Sequence, residues 1–385
     1  MTSSPERAHI LIAGGGFGGV EAMLALRALA PEQVRVSLVS SSPLLAYKPA
    51  ATAESFEDAP SLAYDLQAIT AEVGASLRID RVEAVAPAAH RVRLASFTHL
   101  DYDALILAVG ARASSAIPGA LTFRDQHEVH HVRRLMSEVR SGAVSRIVFA
   151  VPRGCSWPLP LYELALLAAG HIEQSCILGE VVLVSAEATP LCVFGPETSS
   201  LVAGLLAERG VRFVGESDPQ RVDRSGALVL ASGETLPADR VLSAPKLRGP
   251  RISGLPTNRS GFVTTNALGE VIGLRDVYAA GDMTSYPIKQ GGLATQQADV
   301  IAQRIASGCG AEVAHSRARH ILRARLVGGE RPIYLRTELD AFGQATSSAL
   351  HGVFESSEPD TPPEKVFGRY LTPYLHTREP HPATT

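Results

Sequence analysis

The segment "HILIAGGGFGGVEAMLALRALA" places five glycines between Gly14 and Gly19, after a short apolar run and before a longer one rich in alanine and leucine. A strand that enters such a turn and leaves it as a helix is the opening of a dinucleotide-binding unit. Its GxGxxG glycines have separate duties. Gly14 permits the tight turn, Gly16 lets the backbone approach a pyrophosphate, and Gly19 lets the helix close on the strand with its positive amino end toward the phosphates. Phe17 and Gly18 belong to the same expected cofactor contacts. A chain that begins this way is expected to be α/β around a parallel sheet.

A second strand, "VRVSLVS", follows at the spacing of such a unit and ends at Ser40, where these sites usually place an acid on the ribose hydroxyls. A serine can hydrogen-bond a ribose oxygen, though less strongly than a carboxylate, and it does not repel a 2'-phosphate. Two readings stay open: Ser40 and Ser41 contact the cofactor, or Ser40 to Ser42 form a polar loop.

The rest of the composition narrows the function classes. A chain of 385 residues with 45% hydrophobic residues can build two or three cores. The net charge of −3, without a basic run, argues against nucleic acid as a partner. No apolar stretch approaches the roughly 18 to 20 residues that span a bilayer, so membrane contact is at most peripheral. "MTSSPERAHI" lacks the apolar core of a signal peptide, which leads to a cytoplasmic expectation. The four cysteines lie far apart with no CxxC pair, so neither disulfides nor zinc is expected.

Two further stretches carry a family resemblance. "YDALILAVGARA" (102–113) and "DVYAAGDMTS" (276–285) resemble motifs of the two-dinucleotide-binding-domain flavoproteins, the FAD-dependent pyridine nucleotide-disulfide oxidoreductase superfamily. The resemblance implies FAD. It implies that Ala108, Gly110 and Ala111 pass close to the cofactor, that Gly281 and Asp282 meet its ribityl chain, and that Val82 joins the contact set. "YPIKQGGLATQQADVIAQRIA" (286–306) is similar to the flavin-facing segment of sulfide:quinone oxidoreductases, flavocytochrome c sulfide dehydrogenases and type II NADH dehydrogenases. There Gly291, Gly292 and Leu293 would open a helix toward the N1/C2=O edge of the flavin, where positive potential stabilises the anionic reduced ring. Lys289 adds a full charge at that edge, unless it is a surface lysine at a loop tip. "LLAYKPAATAE" (44–54) resembles the post-ribose loop of these enzymes, with Lys48 as a cofactor contact.

A second unit of the same build is expected over 115–245, inserted into a first made of 1–114 and 246–320. "SRIVFAVP", "EVVLVSAE" and "VRFVGE" read as strands, and "PLYELALLAAG" and "ETSSLVAGLLAERG" as helices. Its own nucleotide turn should fall at "PRGCSWPLPLYE". There Gly154 stands alone and three prolines stiffen the backbone and remove donors. Sulfide:quinone and flavocytochrome c relatives likewise lack the glycine turn. Cys155 loosely matches a redox cysteine of those relatives, with Arg153 placed to lower its pKa, but "HILRARLVGGERPIYL" (320–335), where they place the partner cysteine, has none, and Cys309 lies in a Gly-rich loop that reads as surface-exposed. Cys155 is therefore either a catalytic thiol or an inert buried one. Trp157 and Tyr162 either line a substrate pocket or pack.

Residues 321–385 are expected to be a small C-terminal segment that contributes an interface or the acceptor site. It should hold a strand pair around Gly328–Gly329, a mobile loop over 344–363, and a short amphipathic helix with Val366, Phe367, Tyr370 and Leu371 on one side. That helix is expected to dock on its own domain or on a second subunit, as in a homodimer, rather than on a membrane. The leading function is an FAD-dependent oxidoreductase resembling sulfide:quinone oxidoreductase, which carries electrons from a small donor to a quinone or another acceptor. The alternatives are a type II NADH dehydrogenase-like enzyme using NAD(P)H, a tailoring oxidoreductase acting on an organic substrate, and a flavin-bound binding protein.

Overall fold

The computed structural model describes residues 7–57, 61–314, 319–329, 331–346, 352–354 and 366–382. A five-stranded parallel sheet forms the first unit, in the order Val277–Ala279, Ala104–Leu107, Ala8–Ala13, Val34–Ser40, Ser76–Ile79. Ile10, Leu11 and Ile12 are wholly buried because both faces of this sheet are covered, so the strand reads as an unbroken apolar run instead of alternating. The helix Phe17–Leu29 lies on one face and packs along the helix Gly291–Gly308. Gly18 permits that approach, since a Cβ there would stand 3.3 Å from the carbonyl oxygen of Ala294.

The second unit repeats the scheme. Its parallel sheet runs Leu121–Thr122, Arg240–Ser243, Arg146–Val151, Glu180–Ser185, Val211–Val214. The helices Leu159–Gln174 and Pro196–Glu208 connect its strands in right order for a doubly wound sheet. The chain crosses between the units on a short antiparallel ribbon, Arg112–Ser114 against Lys246–Arg248. One Rossmann-like unit is thus inserted in another, within an α/β fold.

The C-terminal hairpin pairs His320–Leu326 with Ile333–Leu339, and Gly352–Phe354 adds a third strand. Leu322, Leu326, Leu335 and Leu339 press into the core of the second unit. Gly328 begins the reversal at φ 119°, a conformation that suits glycine, and a Cβ there would meet Leu166 Cβ at 2.5 Å. Most of the loop expected over 344–363 lies outside the described residues. The expected amphipathic helix starts later than its apolar pattern suggests, at Leu371, and ends at His376. It docks on its own first unit, and the strand His381–Pro382 pairs with Leu62–Asp65.

Candidate functional site

Three strand ends meet at the glycine turn. Gly14 has φ 118° and donates its N–H to the Val39 carbonyl at 2.8 Å. A Cβ on Gly14 would lie 2.2 Å from the Ala108 carbonyl oxygen, and one on Gly19 would lie 1.8 Å from that of Gly14. Both positions are closed to any side chain. Gly16 differs, because a Cβ there would meet nothing within 4 Å. It stands at the N-cap of Phe17–Leu29 and supplies no side-chain cap, so the first amides of the helix face that open space. Gly110, at φ 74°, and the neighbouring Ala111 border a similarly open stretch of backbone. An amide-lined cradle at a helix start, kept clear by glycine, fits the diphosphate of FAD.

The Ser40 hydroxyl turns inward. It donates to the Ser42 carbonyl at 2.7 Å and accepts the Ser42 N–H at 3.2 Å. The oxygen is engaged within its own turn, while Ser41 is exposed beside it. Val82 has its side chain in the core, which leaves only its backbone for a cofactor.

At the far end of the cradle, Gly281 adopts φ 74° and donates to Gln297 Oε1 at 2.7 Å, which sets the direction of Asp282. Burial pushes the Asp282 carboxyl above its ordinary range, against the charges of Lys289 and Lys48. Lys289 is only 6% exposed, so the surface-lysine reading is excluded. Its Nζ donates to the Thr284 carbonyl and stands 4.2 Å from the centre of the Phe262 ring. Burial lowers its pKa to about 8, although Asp282 opposes that shift. The helix head differs in detail from the expectation. Gln290 caps it, taking the Leu293 N–H on Oε1 at 3.0 Å and the Ala294 N–H on its carbonyl at 3.1 Å. Gly291 and Gly292 are the head amides left outside this cap, so Leu293 is unsuited to present its N–H to a flavin. Gly291 also admits the Phe17 ring, which a Cβ would meet at 2.9 Å.

The turn 152–158 of the second unit reaches this loop, with the Ser156 carbonyl accepting the Lys289 N–H at 3.3 Å. Two expectations for the turn are corrected. Arg153 does not serve Cys155, because its Nε and its N–H both go to Asp218, at 3.2 and 3.0 Å. Burial pushes the Cys155 thiol up to about 12, helped by the Glu187 charge and opposed by the Trp157 N–H, so the resting sulfur is protonated. Tyr162 packs in the core of the second unit. It is fully buried, and its hydroxyl donates to Glu187 Oε2 at 2.7 Å. Trp157 is half-buried and packs edge-on to Phe194, ring centres 6.3 Å apart.

The second strand of this unit ends at Ser185, much as its counterpart ends at Ser40. The Ser185 hydroxyl also donates to Glu187 Oε2, at 3.0 Å. The acid nearest the strand end is therefore bound by Tyr162 and Ser185, and the helix has Pro158 as its cap and Pro160 in its first turn. Neither feature presents a donor or a carboxylate to a second dinucleotide.

Sequence reasoning passed over several residues. Glu163 accepts from the Thr52 hydroxyl at 2.8 Å and from the Val327 N–H at 3.2 Å, joining three parts of the chain. Glu21 receives the Tyr370 and Leu371 amides at 3.0 and 2.7 Å. Each is an acid flanked by apolar residues of its helix, and that setting is the signal that could have found it. A cavity of about 280 Å³ lies between the first unit and the C-terminal segment. Phe17, Tyr47, Leu62, Tyr64, Val366 and Leu371 are among its walls, and Phe17 and Val366 also contact Gly291 at the helix head.

Known proteins match this arrangement. The model of the family "Pyridine nucleotide-disulphide oxidoreductase" matches residues 8–299. A sulfide-quinone reductase of Aquifex aeolicus (strain VF5) is 22% identical over 303 residues, covering 72% of this chain and 69% of that protein. The ferredoxin reductase component of a chlorobenzene dioxygenase from Cupriavidus sp. (strain PS12) is 27% identical over 329 residues, covering 79% and 74%. Among solved structures, the sulfide:quinone oxidoreductase of Aquifex aeolicus superposes with a TM-score of 0.79 at 17% identity, over 90% of this chain and 87% of that one. A ferredoxin reductase from Rhodopseudomonas palustris gives 0.69 at 21% identity, over 86% and 82%. The chain belongs to the pyridine nucleotide-disulphide oxidoreductase family and is an FAD-dependent oxidoreductase.

Proposed function

We propose that this oxidoreductase takes electrons from a small donor other than NAD(P)H, a reduced sulfur compound in the leading version, and passes them to a quinone or another acceptor. One observation carries the reading. The turn that would hold a nicotinamide dinucleotide has Pro158 and Pro160 at its helix start and its Glu187 carboxylate engaged by Tyr162, yet its Ser156 carbonyl still meets the Lys289 loop. A small donor could enter there where a dinucleotide has no cradle.

When bound, FAD would supply two-electron redox chemistry between donor and acceptor. The chain's own residues supply the surroundings. Lys289 holds a buried ammonium, hydrogen-bonded to Thr284, that favours negative charge at the Gly291–Gly292 end. Asp282, whose charge interacts with that ammonium, would accept from a polyol chain of the cofactor. Cys155 stays a thiol at neutral pH, so initial attack by its thiolate is not part of the reading. The cavity bordered by Val366 and Leu371, with aromatic and aliphatic walls beside His376 and Arg378, suits a quinone ring as acceptor. For hydrosulfide the overall change would be HS⁻ + quinone + H⁺ → zero-valent sulfur + quinol.

The ferredoxin reductase relatives support a second reading, in which NAD(P)H is the donor. Anaerobic mixing of the holoenzyme with sulfide, small thiols, NADH and NADPH separates the two. Bleaching of the flavin absorbance by a sulfur donor and not by either nucleotide is expected. Rapid bleaching by NADH or NADPH would overturn the proposal.

A further inference from the structure

A dinucleotide-binding unit without a nucleotide turn raises the question of what the unit does. The answer lies in the loop that follows the first ribose strand, residues 48–57 of the first unit. Three side chains of the second unit hold it. Asp125 Oδ2 meets Lys48 Nζ at 2.9 Å. Arg133 Nη2 donates to the carbonyls of Glu54 and Glu57, at 2.8 and 2.6 Å. Glu163 receives the Thr52 hydroxyl at 2.8 Å.

From these contacts we infer that the second unit works as a clamp on the cofactor loop, with Asp125 as a positioning residue that aims the Lys48 ammonium at the anionic part of FAD. The inference rests on the family's cofactor and on Lys48 facing it. Lys48 starts the short 3-10 turn directly after Tyr47, whose ring stands edge-on to Phe17, 5.8 Å away, at the mouth of the Gly16 cradle. Its charge is felt by Asp282 at the other end of that cradle.

The pair itself would add little stability, because the Lys48 side chain is 61% exposed. Direction is what it can supply. The Asp125 carboxylate is only 15% exposed, and its Oδ1 is pinned by the His127 N–H at 3.2 Å in a capping box with Glu128. A fixed acid therefore holds a mobile cation, and fixing it in advance spares the ordering cost when FAD binds. The occupant of the clamp is the loop of this chain, so no second nucleotide is needed to explain why the unit is retained.

The test is FAD release from diluted holoenzyme, followed by the rise in flavin fluorescence, with the thermal midpoints of the apoproteins as a fold control. Asp125→Asn is expected to release FAD about tenfold faster, equivalent to about 1.4 kcal/mol, with an apoprotein midpoint like that of the parent. Asp125→Glu should restore most of the retention. The decisive variant is the exchange Lys48→Glu with Asp125→Lys, which remakes the ion pair but turns an acid toward the cofactor. Continued rapid release from the exchange supports positioning. Recovery of retention would show a mere tether between units and overturn the proposal, as would unchanged release from Asp125→Asn. No donor takes part, so failure of the donor panel and failure of the clamp are read separately.

Discussion

Glu21 offers a quantitative test of how the C-terminal segment is held. It lies in the middle of Phe17–Leu29, has no exposed surface, and accepts the Tyr370 and Leu371 amides on its two oxygens. Gly368 passes so close that a Cβ would stand 2.6 Å from Oε2. Burial raises the carboxyl from 4.5 to about 7, with the Asp299 charge in the same direction and the Tyr370 and Leu371 amides opposing. A carboxyl with a raised native pKa binds its proton more tightly when the segment is docked. Docking is therefore strongest below pH 4.5, weakens as pH rises toward 7, and is level above that. The gap between 4.5 and about 7 is worth about 3 kcal/mol. The measurement is amide hydrogen exchange at Tyr370 and Leu371, corrected for the intrinsic pH dependence. Protection should fall about tenfold per pH unit between about pH 5 and 6.5. Glu21→Gln should flatten that slope, at the cost of one amide that faces its NH₂ group, about 1–3 kcal/mol at every pH. A slope that survives in Glu21→Gln, or no slope in the parent, would refute the assignment of the titration to Glu21.

Two other predictions concern the cofactor end. Lys289→Met should lower the flavin reduction potential by on the order of 30 mV, equivalent to about 1.4 kcal/mol for two electrons, and remove a limb near pH 8 from the rate of flavin reduction; a potentiometric titration that gives the parent value would count against a charge at the ring. Gly16→Ala and Gly19→Ala should separate binding from folding. The first adds a Cβ into open space and should weaken FAD about tenfold while leaving the apoprotein midpoint intact. The second drives a Cβ into the Gly14 carbonyl and should destabilise the apoprotein by about 1–3 kcal/mol.

The parallel units were legible because their determinants are local. A buried strand such as "RIVFAV" is apolar throughout, and Gly14 and Gly19 sit where only glycine fits, so a strand–turn–helix pattern can be read without knowing its neighbours. The inward turn of Tyr162 and the pairing of Arg153 were not legible. Each depends on an acid that lies far away in the chain, 25 residues for Glu187 and 65 for Asp218. Lys289 shows the same limit in reverse. Its neighbours Pro287 and Gln290 suggest a loop tip, and only the Phe262 ring and the Thr284 carbonyl reveal a buried cation.

The two units share one plan and differ at the start of one helix. Both have the same sheet, both end their second strand in serine, and both begin a helix after the first strand. In the first, the helix starts behind Gly16, where the amides face open space. In the second, it starts with Pro158 as its cap and Pro160 within its first turn, and the hydroxyl of Tyr162 donates to Glu187, two residues past the strand end. Neither backbone topology nor burial separates these cases. The difference is whether the first helical amides are present and uncovered, and a proline removes such a donor. The 152–158 turn still meets Lys289 through a backbone carbonyl, a contact that survives changes of side chain. The place of the second unit beside the Lys289 loop is therefore set by its backbone and not by a glycine turn.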